Sequence, residues 1–216
     1  FSSRRRHTRC CSWSRGLGDV YKRQELKLRG ERQQITTLFA DIRGFSTYSE
    51  RSDPEKVVEV INQYFAFALA AVDRHEGIVD KYLGDAVMAH FNTPLRPVTE
   101  HAWRAVLAAW DFKQAIGEYL PRVPEEDRLD VGIGINTGEP VVGNVGAEDR
   151  MEYTAIGDAV NLAKRLQESA RGGQILLSNS TYYLVKGRVE VKALDPIQVK
   201  GRQALEQVYE LLDVQR

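Results

Sequence analysis

Polar and apolar residues alternate from Gln34 to Ala40, in a stretch rich in Ile, Thr, Leu and Phe. A period of two in such residues predicts a strand, here closing at Asp41. The period then lengthens. Val57, Val58, Ile61, Tyr64, Phe65, Ala68 and Val72 recur at helical spacing behind Ser52 or Asp53 as cap and Pro54 in the first turn, predicting a long amphipathic helix up to Gly77. Two apolar strands, Ile78 to Leu83 and Ala86 to Phe91, flank Gly84-Asp85, a two-residue loop that favours a type II′ hairpin and puts Asp85 at its tip. A second helix runs from about Val98 to Tyr119 through Ala102, Val106, Ala109 and Ile116, and stops at Pro121 and Pro124. Strands from Leu129 to Ile135 and from Pro140 to Val145 follow, around Thr137-Gly138. Strand, helix, strand, strand, helix, strand is the order of an α+β fold with a ferredoxin-like βαββαβ core. Additional C-terminal elements are a helix capped by Asp158, a short strand from Gln174 to Leu177, and an antiparallel pair, Val189 to Val191 with Gln207 to Leu212.

Composition changes this picture only once the first 24 residues are set aside. Asp19 to Gln24 reads DVYKRQ, which the transposase mosaic-end adapter of sequencing libraries encodes in one frame, and the arginines from Arg4 to Arg9 look equally foreign. The stretch has no apolar run of signal-peptide length and no amphipathic spacing. Residues 1–24 therefore read as a non-native, disordered segment replacing the natural N-terminus, residues 25–32 as a linker, and 33–216 as one domain. That segment holds seven of the 30 Lys and Arg and one of the 30 Asp and Glu, so 23 basic and 29 acidic residues remain, a net charge of −6. Such a balance argues against a nucleic-acid partner. Cys10 and Cys11, the two cysteines, go with it, which removes disulfides and thiolate metal sites and fits a reducing, cytoplasmic setting. No apolar run approaches the roughly 20 residues that span a bilayer, which leaves membrane attachment of the parent protein to the replaced upstream region.

Three segments carry the polar residues that could do chemistry: FADIRGFS (39–46), KYLGDAVMAHF (81–91) and TAIGDAVNLAKR (154–165). Asp41 ends the first strand ahead of a turn, Ile42 to Ser46, whose amides could converge on phosphate oxygens; an Asp there can equally cap the next helix. In a ferredoxin-like sheet that strand lies beside the hairpin, bringing Asp41 to Asp85, and paired carboxylates without a basic partner suit a divalent cation. Asn161 and Arg165 lie four apart on one helix face, where Arg can spread phosphoryl charge and Asn can position a hydroxyl; a solvated face with Lys164, Gln167 and Glu168 accounts for the same spacing. Lys81 shares a face with Val79 and Leu83 in a regular strand, where it reaches a base edge or snorkels to water. Lys200 is a phosphate contact or a turn lysine. His75, His90 and His101 have no ligand spacing and read as structural or surface residues.

With these segments in this order and spacing, residues from about Gly30 to Leu212 resemble the catalytic domain of class III nucleotidyl cyclases. The resemblance implies that Asp41 and Asp85, helped by the Ile42 carbonyl, hold two Mg²⁺ or Mn²⁺ ions per site. Gly44 and Phe45 would belong to the triphosphate loop, with Lys200 on the terminal phosphates. Lys81 stands where adenylate cyclases place their adenine-reading lysine and guanylate cyclases a glutamate, so ATP is the implied substrate, with guanylate cyclase the nearest alternative. Thr154 takes the second base-reading position, a feature of a subclass that includes bicarbonate-responsive enzymes, so bicarbonate regulation is a hypothesis. Asn161 and Arg165 match the transition-state pair. A homodimer with sites at its interface, and an upstream regulatory domain, follow from the same likeness. One departure is Gly132, where some family members carry a phosphate-contacting arginine, a role Arg150 could take over. A non-catalytic nucleotide-binding or dimerisation module is the alternative of a different class.

Overall fold

A computed structural model describes residues 30–147, 149–198 and 205–215. The strands are β1 (Glu31–Arg32), β2 (Ile35–Ile42), β3 (Ile78–Leu83), β4 (Ala86–Phe91), β5 (Val131–Gly138), β6 (Val141–Ala147), β7 (Arg150–Ile156), β8 (Ile175–Ser178), β9 (Val189–Ala193), β10 (Ile197–Gln198), β11 (Leu205–Glu206) and β12 (Val208–Val214). The α-helices are α1 (Phe45–Arg51), α2 (Pro54–Arg74), α3 (His101–Tyr119), α4 (Asp158–Ser169) and α5 (Asn179–Val185). Seven strands form the main sheet in the order β3-β4-β2-β5-β8-β12-β9. Its first four are the expected ferredoxin-like core, extended beyond β5 by β8, the sheet's parallel neighbour, and the antiparallel β12 and β9.

Alternation along β2 decides what each face carries. Leu38, Ala40 and Ile42 join the core beneath α2 and α3, with Tyr64, Ala68, Ala105, Ala109, Phe112 and Ile116. Ile35 and Phe39 face the other way, onto Met88, Val142, Ala155, Val160 and Ala163, so β6, β7 and α4 cover the second face. A sheet covered on both sides must be apolar on both, and five of the eight residues of β2 are hydrophobic. At the hairpin, Gly84 takes φ +66° while Asp85 does not enter positive φ, as a type II′ turn with Gly first requires.

Several boundaries differ from expectation. The strand from Pro140 onward leaves the main sheet and becomes β6 of a three-stranded sheet, β1-β6-β7, whose β7 has no expected counterpart. Glu31 and Arg32, placed in a linker by sequence, pair with Val142 and Val141 there. Helix α3 starts at His101 rather than Val98, because the Val98 amide donates to Asn92 Oδ1 and Glu100 is left-handed at φ 52°. Asp158 is the first helical residue of α4, not its cap; Gly157 occupies the cap position. The N-terminal segment read as non-native lies outside the described residues. No described helix is long and apolar enough to cross a membrane.

A ladder of hydroxyls ties the elements together: His101 Nδ1 and Thr137 Oγ1 each lie 2.8 Å from Thr36 Oγ1, and Thr181 Oγ1 lies 3.1 Å from Thr137. Burial holds the His101 imidazole below its ordinary pKa. The unfolded chain therefore binds a proton more readily, so His101 costs stability as pH falls from about 6.5 through the lower folded value, and nothing further beyond it. Replacing His101 with Gln should flatten the fall in Tm between about pH 7 and 5, measured calorimetrically; an unchanged slope would remove His101 from that role.

Candidate active site

Antiparallel pairing sets Asp41 opposite Ala86 on one side and Gly132 on the other. Asp85, one residue before Ala86 at the hairpin tip, is thus next to Asp41, near enough to raise its pKa electrostatically. Burial is the larger cause of that upward displacement, while Arg43 and Gln167 oppose it. Arg43 Nε is 3.1 Å from Asp41 Oδ1 but out of line for a hydrogen bond, so both buried atoms retain unspent bonding capacity. Asp41 thus has a basic neighbour, Arg43, where the carboxylate pair was expected from sequence to have none; its buried Oδ1 still accepts no hydrogen bond, and beside a second carboxylate it fits a divalent cation. Clusters of three or more ligating side chains are absent among the described residues, so the cation would need other ligands as well.

Arg43 also lies over Gly132. A Cβ at residue 132 would fall within 3.0 Å of the Arg43 Nε, Cζ and Nη2 atoms, so the guanidinium occupies the space a side chain there would take. Its Nη2 donates to the Gln167 carbonyl of α4. Arg43 therefore supplies a cation beside Asp41, whereas Arg150 is exposed on β7. The chain then turns through Gly44 at φ +77° into α1, whose Tyr48 amide donates to the Gly44 carbonyl and whose Phe45 packs on the main core.

On β3 a bulge redirects the polar residues. Val79 pairs with Ala89 but Lys81 pairs with Met88, leaving Asp80 as the extra residue. Lys81 consequently shares the α4 face with Met88 and Leu83, while Val79 stays in the opposite core, which corrects the single face expected of a regular strand. Lys81 Nζ donates to Glu152 Oε2 at 2.6 Å, a bond that raises the lysine pKa and lowers that of the glutamate. Asp80 points inward, its side chain 3% exposed. Its Oδ2 accepts from the Thr154 hydroxyl at 2.5 Å and lies 3.0 Å from His90 Nε2, and His90 Nδ1 is 3.1 Å from Thr37 Oγ1. His90, which reads from sequence as structural or surface, is the buried link of this chain.

Helix α4 lies against β5 and β2 because Gly134 leaves no side chain between them. A Cβ there would meet Gln167 N and Ala163 O, both main-chain atoms of α4, closer than 3.0 Å. Val160, Leu162, Ala163 and Leu166 are buried, which turns Asn161 and Arg165 outward. Arg165 Nη1 pairs with Glu168 Oε2 at 2.5 Å and its side chain stays 44% exposed. Lys200 lies outside the described residues. Asp80, Glu152 and Arg43 were not singled out from sequence. A carboxylate next to Lys81 in mid-strand was the one available signal for Asp80; Glu152 and Arg43 have partners 71 and 124 positions away.

Residues 29–212 match the family described as "Adenylate and Guanylate cyclase catalytic domain". The chain is 35% identical over 189 residues to adenylate cyclase 1 of Rhizobium meliloti, a match covering 86% of this chain and 28% of that relative, so it spans only a part of that protein. Among solved structures, the adenylyl cyclase CyaB from P. aeruginosa is similar at a TM-score of 0.81 and 34% identity, over 88% of this chain and 98% of that one. The guanylyl cyclase Cya2 is similar at a TM-score of 0.81 and 36% identity, over 87% and 95%.

Proposed function

We propose that this chain, which belongs to the adenylate and guanylate cyclase catalytic-domain family, converts ATP to 3′,5′-cyclic AMP and pyrophosphate. The similarity to both an adenylyl and a guanylyl cyclase leaves the base to the residues themselves. The observation that carries this reading is that Asp41 and Asp85 meet at the end of the main sheet, a pair of carboxylates fit for a divalent cation, while the Lys81 of the same copy would serve the opposite site of a dimer. A protonated lysine, held so by Glu152, donates and cannot accept, which suits the bare N1 of adenine and opposes the N1–H of guanine.

In the reaction the ribose 3′-oxygen attacks the α-phosphorus in line, the bond to the bridging oxygen of pyrophosphate breaks, and the hydroxyl proton passes to solvent. Asp41 and Asp85 with the Ile42 carbonyl would hold Mg²⁺ or Mn²⁺, two per site, which when bound lower the charge on the attacking and leaving oxygens. Amides of the turn through Gly44 and Phe45 take the triphosphate, with Lys200 on its terminal phosphate. Arg165 leaves Glu168 to meet charge building on the phosphoryl oxygens, and Asn161 orients the ribose. Arg43 adds a guanidinium where Gly132 has none. Asn161 and Arg165 face outward from α4, which supports a site completed by a second copy of the chain.

Incubation with ATP or GTP and Mg²⁺ or Mn²⁺, over a range of protein concentrations, should yield cyclic AMP with specific activity rising with concentration. A folded dimer that makes no cyclic nucleotide would overturn the assignment in favour of a regulatory module. Lys81→Glu should reduce the ATP/GTP ratio of kcat/KM by about 100-fold, since the replacement accepts where the lysine donates; an unchanged ratio would take base reading away from Lys81.

A further inference from the structure

We infer that Asp80 is a positioning residue that fixes the direction of the Thr154 hydroxyl and thereby selects a 6-amino purine over a 6-oxo purine. This rests on the nucleotide-binding reading above and deepens it. A threonine hydroxyl has one proton and two lone pairs. Free to rotate, it offers a donor to guanine O6 as readily as an acceptor to the adenine 6-amino group, and so discriminates little. In this protein the proton is committed: Thr154 donates to Asp80 Oδ2 at 2.5 Å. Only lone pairs are left for a base. The pair then presents one donor, Lys81, and one acceptor, Thr154, the complement of adenine N1 and its 6-amino group and the reverse of guanine N1–H and O6.

Asp80 is held so that it cannot turn away. The bulge on β3 sets it inward, His90 stands 3.0 Å from the same Oδ2, and Thr37 braces the far nitrogen of that imidazole at 3.1 Å. Asp80 and His90 side chains are each 3% exposed, so water does not compete for the carboxylate. Thr154 belongs to β7 in the smaller sheet, so the same bond joins two sheets. A purely structural tie would affect stability and leave the choice of base alone, and the experiment separates these.

Binding would be measured by competition against a fluorescent nucleotide in Mn²⁺, using 3′-deoxy triphosphates, which lack the attacking hydroxyl and cannot turn over. The wild-type protein should prefer 3′-deoxy-ATP to 3′-deoxy-GTP by about tenfold or more, and Asp80→Ala should remove about tenfold of that preference. Asp80 Oδ1 also lies 3.8 Å from Lys81 Nζ, so in a Thr154→Val background the Asp80→Ala change should keep only a minor part of its effect on the ratio, the larger part passing through the hydroxyl. An unaltered ratio in Asp80→Ala, or an equal loss in both backgrounds, would overturn the inference. If Asp80→Ala does not fold, the wild-type protein decides: 3′-deoxy purine riboside triphosphate, without the amino group, should bind about tenfold more weakly than 3′-deoxy-ATP, and equal binding would overturn it. Selective binding without cyclic product from ATP would sustain this inference while sinking the cyclase assignment; binding of neither nucleotide would sink both.

Discussion

Mixing the Asp41→Ala and Asn161→Ala proteins, each down by about 100-fold or more alone, should restore cyclic AMP formation. Each variant homodimer lacks the same residue in both of its sites. With the metal-holding residues coming from one copy and the transition-state residues from the other, as proposed, a heterodimer would gather both lesions into one site and rebuild the other. Random exchange makes half of the dimers mixed with one good site of two, so recovery should approach about a quarter of wild-type activity. Neither substitution threatens the fold. Asp41 is a partly buried carboxylate whose ionisation the site already opposes, and Asn161 is exposed on α4. No recovery, in mixtures whose subunits are seen to exchange by size-exclusion chromatography of differently tagged copies, would sink the shared-site arrangement.

Gly134→Ala should be strongly destabilising for a single added methyl group. The new Cβ is directed at Gln167 N and Ala163 O, and main-chain atoms of a packed helix cannot rotate aside as a side-chain tip would. Overpacking of this kind costs about 3 kcal/mol, which for a domain of this length lowers Tm by about 6–12 °C. The displaced helix carries Asn161 and Arg165, so kcat should fall as well. Gly117 on α3 provides the control: a Cβ there meets nothing within 4 Å, and alanine in an exposed helix should add about 0.5–1 kcal/mol. Equal Tm values for the two variants would mean that α4 shifts without cost and that Gly134 does not set its position.

Much of the architecture was legible because it follows from short-range rules. The period of two in β2, the 3.6-residue recurrence in α2 and the Gly-X turn at Gly84 are local properties, and local properties are written in consecutive residues. The βαββαβ order then restricted the sheet to few arrangements, and the one adopted puts Asp85 beside Asp41. Family likeness suggested the roles proposed for Lys81, Thr154, Asn161 and Arg165, the last two of which spacing by itself left equal to a solvated helix face. The sheet to which β6 belongs was not legible, since Pro140 to Val145 reads equally well as a strand in either sheet.

By itself, then, the sequence determined most of the elements, the βαββαβ core and most of the polar residues worth suspecting. Only the tertiary structure decided how those residues are aimed. The bulge at Asp80 exists because β3 and β4 pair with one residue to spare, and it moves Lys81 to the face opposite Val79. Arg43 fills the space over Gly132, and Asp80 takes the Thr154 proton, through contacts between residues 89 and 74 positions apart. Hydrogen bonds are short-ranged and directional, so which lone pair meets which proton is settled only when distant segments have packed.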